Sequence, residues 1–135
     1  MRKRNLFLSV LFICFLFGIT DVAKAGSSSG SYVWRRAREE SGIDMWTAKY
    51  SYFAGWKSRG MTFSNNQDNK CVLQVEISTL SGEIDLTITD EDGQEVCVYD
   101  NLDTSQFQIT LEDEGSYEIK INARGHQGSF LIQGS

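Results

Sequence analysis

Cys71-Val-Leu-Gln-Val-Glu-Ile77 leads a series that continues with Ile84-Asp-Leu-Thr-Ile88, Phe107-Gln-Ile-Thr-Leu111 and Tyr117-Glu-Ile-Lys-Ile121. Within each stretch, apolar and polar residues alternate. A pleated strand sends successive side chains to opposite faces, so this pattern marks strands with one face buried and one wet. Turn residues separate them: Ser81-Gly82, Asp90-Glu-Asp-Gly93, Asp100-Asn-Leu-Asp103 and Glu112-Asp-Glu-Gly115. Gly93 is free to take the positive φ of a hairpin turn. Another strand is read at Glu95 to Tyr99. A loop, Arg124-Gly-His-Gln-Gly128, precedes a closing strand from Ser129 to Gln133. Short strands at a spacing of ~10 residues predict an all-β chain folded as an antiparallel β-sandwich. The sequence holds no proline, so no strand is barred from the sheet interior on that ground.

Upstream, Asp44 to Phe53 alternates Trp46, Ala48, Tyr50 and Tyr52 against Thr47, Lys49 and Ser51. The first set is expected to face the core, with Lys49 and Phe53 outside. Gly55 breaks the run, and Trp56 to Phe63 reads as a second strand. Between Tyr32 and Ile43, Arg35/Glu39 and Arg36/Glu40 are spaced i, i+4. That spacing would support one short N-terminal helix, ended by Gly42 and anchored by Trp34. Residues 26–31, Gly-Ser-Ser-Ser-Gly-Ser, have the composition of a flexible linker. The expectation is a single domain over residues 32–135 with seven or eight strands.

The first 25 residues have a different character. Arg2, Lys3 and Arg4 precede an apolar run from Leu6 to Ile19, and Ala23-Lys24-Ala25 has the form of a cleavage site. This is the layout of a secretory signal peptide. The run is 14 residues long, short of the ~20 needed to span a bilayer. No transmembrane segment is expected after cleavage, and the mature chain is expected outside the cell or in its envelope. It would carry nine basic and seventeen acidic residues, a net charge of −8. A general polyanion binder does not look like this, so nucleic acid is excluded as a partner. The charge is uneven. Residues 31–70 hold seven basic and four acidic groups, and residues 71–135 hold two and thirteen. Either the two segments neutralise one another in one domain, or the first presents a basic, aromatic face to an anionic partner.

From about Lys70 to Ile132 the chain resembles the jelly-roll sandwich of the bacterial pre-peptidase C-terminal type. The shared features are Leu73-Gln-Val-Glu-Ile77, Ile84-Asp-Leu-Thr-Ile88 with its acidic turn at Asp90 to Gly93, and Gly115-Ser-Tyr-Glu-Ile119. The resemblance implies a noncatalytic extracellular β-sandwich of jelly-roll type. Such modules accompany a catalytic domain, and this chain shows none, so another partner is expected.

Several chemistries are weighed against the residues. Cys71 and Cys97 are an even pair in an exported chain and would close a loop as a disulfide. Cys71 is in phase with Leu73 and Val75. Cys97 lies between Val96 and Val98, so the bridge requires Cys97 and Tyr99 to turn inward, or a bulge; otherwise the thiols stay free. His126 is the one histidine and no serine sits in a nucleophile elbow, which argues against nucleophilic catalysis. His126 reads as a solvated loop residue, or one bonded to a turn carbonyl. Calcium is the one cofactor considered, on the acidic turn carrying Asp90 and Asp92. Glu83 and Asp85 share the outer face of one strand, the weak basis for an alternative reading as a small hydrolase using surface carboxylates. A secreted toxin or inhibitor is a third reading. Trp34, Trp46 and Trp56, with Arg59 nearby, either close one end of the core or form a ligand platform. The favoured function is a secreted noncatalytic module that binds envelope polysaccharide or a protein partner through this aromatic, basic half.

Overall fold

The computed structural model describes residues 28–135; the signal peptide expected at 1–25 lies outside them. The described residues form seven antiparallel strands: β1 (Ser28–Arg35), β2 (Arg38–Ser41), β3 (Met45–Phe63), β4 (Cys71–Thr89), β5 (Glu95–Tyr99), β6 (Ser105–Leu111) and β7 (Gly115–Gly134). They form a β-sandwich of jelly-roll type, as the alternation predicted. The means of building it differs from the expected run of hairpins.

β3, β4 and β7 are 19, 19 and 20 residues long. At ~3.3 Å per residue a straight strand of that length would reach about 60 Å. β3 does not, because its ends meet: the Thr62 N–H donates to the Ile43 carbonyl at 2.9 Å. All three strands fold over near their midpoints. The β3–β7 register slips between Tyr50, Phe53 and Gly55, and the β4–β7 register slips between Thr79, Ser81 and Glu83. A bulge adds a residue on one side of a ladder, bends the strand and increases its twist. Gly82 and Gly128 sit at these bends with φ of 77° and 151°. A Cβ on Gly82 would overlap the Gly125 carbonyl, and one on Gly128 would overlap the Ser78 carbonyl. The corner therefore needs glycine both for its conformation and for its close backbone approach.

Two five-stranded layers result. The first runs β2, the first half of β3, the second half of β7, the first half of β4, then β6. The second runs β1, the second half of β3, the first half of β7, the second half of β4, then β5. The core lies between them. Trp46, Leu73, Val75 and Phe130 from the first layer share one buried cluster with Met61, Leu86, Ile119 and Ile121 from the second.

Several expectations are corrected. Ser81-Gly82 and Arg124–Gly128 are corners within strands, and Trp56–Phe63 continues β3. The helix expected between Tyr32 and Ile43 does not form, because this stretch supplies residues of two edge strands, β1 and β2, along β3. Edge pairing satisfies the backbone more fully than a short helix held by exposed i, i+4 pairs. Ser28–Ser31 of the expected linker belongs to β1. Phe53 is fully buried and Tyr52 faces out, since the bulge after Tyr50 shifts the phase by one. Cys97 and Tyr99 do turn inward against the core, leaving Val96 and Val98 exposed. No bridge follows, however, and both thiols are free.

Candidate functional site

The tryptophans are not gathered on one face. Trp46 is fully buried, packed at 4.9 Å against Phe130, and its indole N–H donates to Glu39 at 2.8 Å. Trp34 also faces inward from edge strand β1, at 5.4 Å from Phe53 and 6.1 Å from Tyr50. Trp56 faces the other way, on the outer surface of the second layer, with the Lys120 ammonium 5.0 Å from its ring centre. Register explains the split: Trp56 pairs with Asn122, an outward position, whereas Lys57 pairs with inward Ile121. The aromatic platform expected of Trp34, Trp46, Trp56 and Arg59 is therefore absent.

In its place is a plug between the layers at the β1–β2 edge. Lys57 is only 8% exposed. It donates to both Glu39 carboxylate oxygens at 2.9 and 3.0 Å and lies within 5 Å of the Tyr32 and Trp34 ring centres. A cation this buried is stable only because a carboxylate and two π-faces replace its water. Arg59, two residues on along the same inward face, has a buried Nε with no hydrogen-bond partner.

His126 is no loop residue. It is fully buried at the corner. Its Nδ1 lies 2.8 Å from the Tyr50 hydroxyl and its Nε2 lies 2.8 Å from Thr79 Oγ1. Thr79 Oγ1 donates its own proton to the Leu102 carbonyl at 3.0 Å. Thr79 must then accept from Nε2–H, which leaves Nδ1 to accept from Tyr50. The imidazole is neutral, and burial lowers its pKa to about 4. The three bonded side chains come one each from β3, β4 and β7, so His126 ties together the three strands that bend. This is a structural role. A buried residue with both nitrogens engaged has no free edge for a substrate.

The acidic candidates are likewise occupied. Asp90 Oδ1 accepts from the backbone N–H groups of Asp92 and Gln94 at 2.9 and 3.0 Å, closing its own turn. Among the described residues no three His, Cys, Asp or Glu side chains converge as a metal site, so Asp90 and Asp92 gain no third ligand. Glu83 and Asp85 both bind Arg124, which donates to Glu83 at 2.5 Å and to both Asp85 oxygens at 2.8 and 3.0 Å. That clamp, aided by the Asn101 N–H, holds the Asp85 carboxyl below its usual range. Two carboxylates both held by one guanidinium are poorly placed to act as an acid and a base.

The outer face of the first layer carries what the sequence did not single out. Two shallow basins of about 620 and 600 Å³ lie on it and share Ser78 and Ser129. They form one groove across the strands. One basin is lined by hydroxyl and amide groups, among them Thr47, Ser105 and Gln106, and by apolar Leu131, with Glu76 the one carboxylate. The other is lined by Arg36, Arg38, Lys49 and Gln127, with exposed Leu80 at its rim. The strand register brings these together: Lys49 pairs with Ser129, Ser129 with Ser78, and Glu76 with Gln106. Only alternation hinted at this in sequence, as polar residues on the wet face of each strand.

No family model and no curated protein matches the chain. Solved structures similar to it include the xylan binding module CBM86 from Roseburia intestinalis, at 11% identity and a TM-score of 0.39, with 82% of this chain and 97% of that one covered. The enzymatically active domain of bacteriophage CBA120 tailspike protein 4 has 11% identity and a TM-score of 0.39, with 87% of this chain covered. Arthrobacter globiformis isomalto-dextranase has 14% identity and a TM-score of 0.40, with 84% of this chain covered. The chain spans 20% of the tailspike domain and 22% of the isomalto-dextranase.

Proposed function

We propose that this protein is a secreted, noncatalytic module that holds a polysaccharide chain in the groove on the outer face of its first layer. The carrying observation is a pair of adjoining basins that share Ser78 and Ser129 and are lined by hydroxyl, amide and charged side chains together with Tyr50, Leu80 and Leu131. Adjacent strands stand about 4.8 Å apart, so the five strands of this layer set polar side chains at regular steps over about 19 Å. A repeating polyol needs that arrangement. Each ring presents hydroxyls that both donate and accept, and Ser, Thr and Gln can do either. Binding is favoured over hydrolysis because Glu76 is the one carboxylate lining the groove, and glycoside cleavage calls for a pair. The signal segment in the sequence supports an extracellular or envelope location.

The test blocks the groove without altering charge. Leucines in place of Ser78 and Ser129 would fill its middle from outward strand positions. Affinity electrophoresis of the full chain through gels containing neutral and acidic polysaccharides should show the wild type retarded in at least one, and Ser78→Leu/Ser129→Leu running freely. Equal retardation of both proteins would place binding elsewhere and refute the reading.

A further inference from the structure

The groove is electrostatically lopsided. Arg38 and Lys49 stand directly opposite one another across the β2–β3 ladder, both exposed on the outer face. Like charges at facing positions repel and destabilise a sheet. Arg36 lines the same basin from the link between β1 and β2, where its backbone takes a φ of 51°, unusual for a residue other than glycine. No acidic residue lines this basin. Glu40 follows on β2, opposite Thr47, and makes no ion pair with the three cations.

The rest of the chain makes this arrangement informative. The described residues carry nine basic and seventeen acidic side chains, so carboxylates are in excess. Among the described residues only Lys57 and Arg124 form ion pairs, while Arg35 and Lys120 lie over the rings of Tyr52 and Trp56. Lys57 has Glu39, and Arg124 has both Glu83 and Asp85. Arg36, Arg38 and Lys49 are left facing solvent, side by side, in a concave surface where their fields add.

Resting on the groove reading above, we propose that the polysaccharide is acidic, and that Arg36, Arg38 and Lys49 form a subsite for an anionic substituent carried on the sugar ring. A carboxylate or a sulfate ester has the required chemistry, since guanidinium groups bind either in a bidentate manner. The polar basin beyond Ser78 and Ser129 would hold the ring hydroxyls of the neighbouring units. Glu76 and the general negative charge of the protein would repel a polyanion at other points on the surface, so the subsite also sets where along the groove the charged ring must lie.

The experiment compares the full-length chain with Arg38→Gln/Lys49→Gln and with the groove-filling Ser78→Leu/Ser129→Leu. Polygalacturonate, dextran sulfate and uncharged dextran serve as probes, with affinity measured at low and high salt. The expected result is that wild type binds polygalacturonate or dextran sulfate, more weakly as salt rises, and that losing two charge contacts costs about tenfold in affinity. The groove-filled variant should lose binding altogether. Which polyanion binds more tightly identifies the substituent as carboxylate or sulfate. Removing the facing cations should leave the melting temperature unchanged or raise it, which separates lost binding from lost fold. If wild type binds dextran as well as it binds the polyanions, and the charge variant matches it, the subsite is refuted while the groove reading stands. If polyanion binding survives groove filling, or no probe binds, both fail together.

Discussion

His126 shows how a single side chain carries the corner of this fold. It accepts from Tyr50 and donates to Thr79, and burial lowers its pKa from the ordinary 6.5 to about 4. The sign follows from proton counting. Between those two pH values the unfolded chain binds a proton that the folded chain refuses, so stability rises with pH across that window. The contribution is complete above pH 6.5 and drains away as pH falls toward 4. A difference of this size is worth on the order of 3 kcal/mol. Urea denaturation at pH 7 and pH 4.5 should therefore show a loss in the wild type that His126→Phe does not share. Identical pH slopes for the two proteins would rule out this role. The sequence shows one histidine between glycines, and read locally that is a loop. Burial of the ring depends on β3 and β4 closing over it, which no local signal encodes.

At the scale of the elements, the three bent strands decide the architecture, and their bends rest on glycine. Gly128 has a φ of 151° and no space for a methyl group beside the Ser78 carbonyl. Gly128→Ala should lower unfolding free energy by more than about 2 kcal/mol, combining backbone strain with displacement of β4. Gly42→Ala is the control. Nothing lies within 4 Å of its added Cβ, so its denaturation midpoint should stay near wild type. The inward residues record each bend as a slip of phase. β3 buries Trp46, Ala48 and Tyr50, then Phe53, Met61 and Phe63. β4 buries Leu73, Val75 and Ile77, then Ile84, Leu86 and Ile88. That slip is legible in the sequence as two alternating runs with a turn-like break between them. A hairpin and a bulged corner produce the same break, because both need glycine and both interrupt the alternation. Pairing partners alone tell them apart.

The whole molecule places its two cysteines on opposite layers, Cys71 across from Leu111 and Cys97 across from Ile88. Both thiols are free, and burial pushes both pKa values up, with Glu114 and Asp113 adding to the effect on Cys71. A reducing agent should leave the melting temperature unchanged, and a thiol reagent should label Cys71 only on unfolding. A melting temperature that falls on reduction would mean that a bridge contributes to stability. The layered charge follows the same logic. Lys57 is buried beside Glu39, Arg124 is committed to Glu83 and Asp85, and Arg36, Arg38 and Lys49 are left in one groove. From sequence alone the class was determined: period-two alternation at close spacing can bury its apolar half only as stacked antiparallel layers, and a basic first half was visible by counting. The tertiary structure decided which tryptophans are core, that Lys57 and His126 are inside, and that three cations from β2, β3 and the link between β1 and β2 meet in one groove. Those outcomes depend on register across strands far apart in the chain, and a one-residue shift at a bulge changes which face every later side chain occupies.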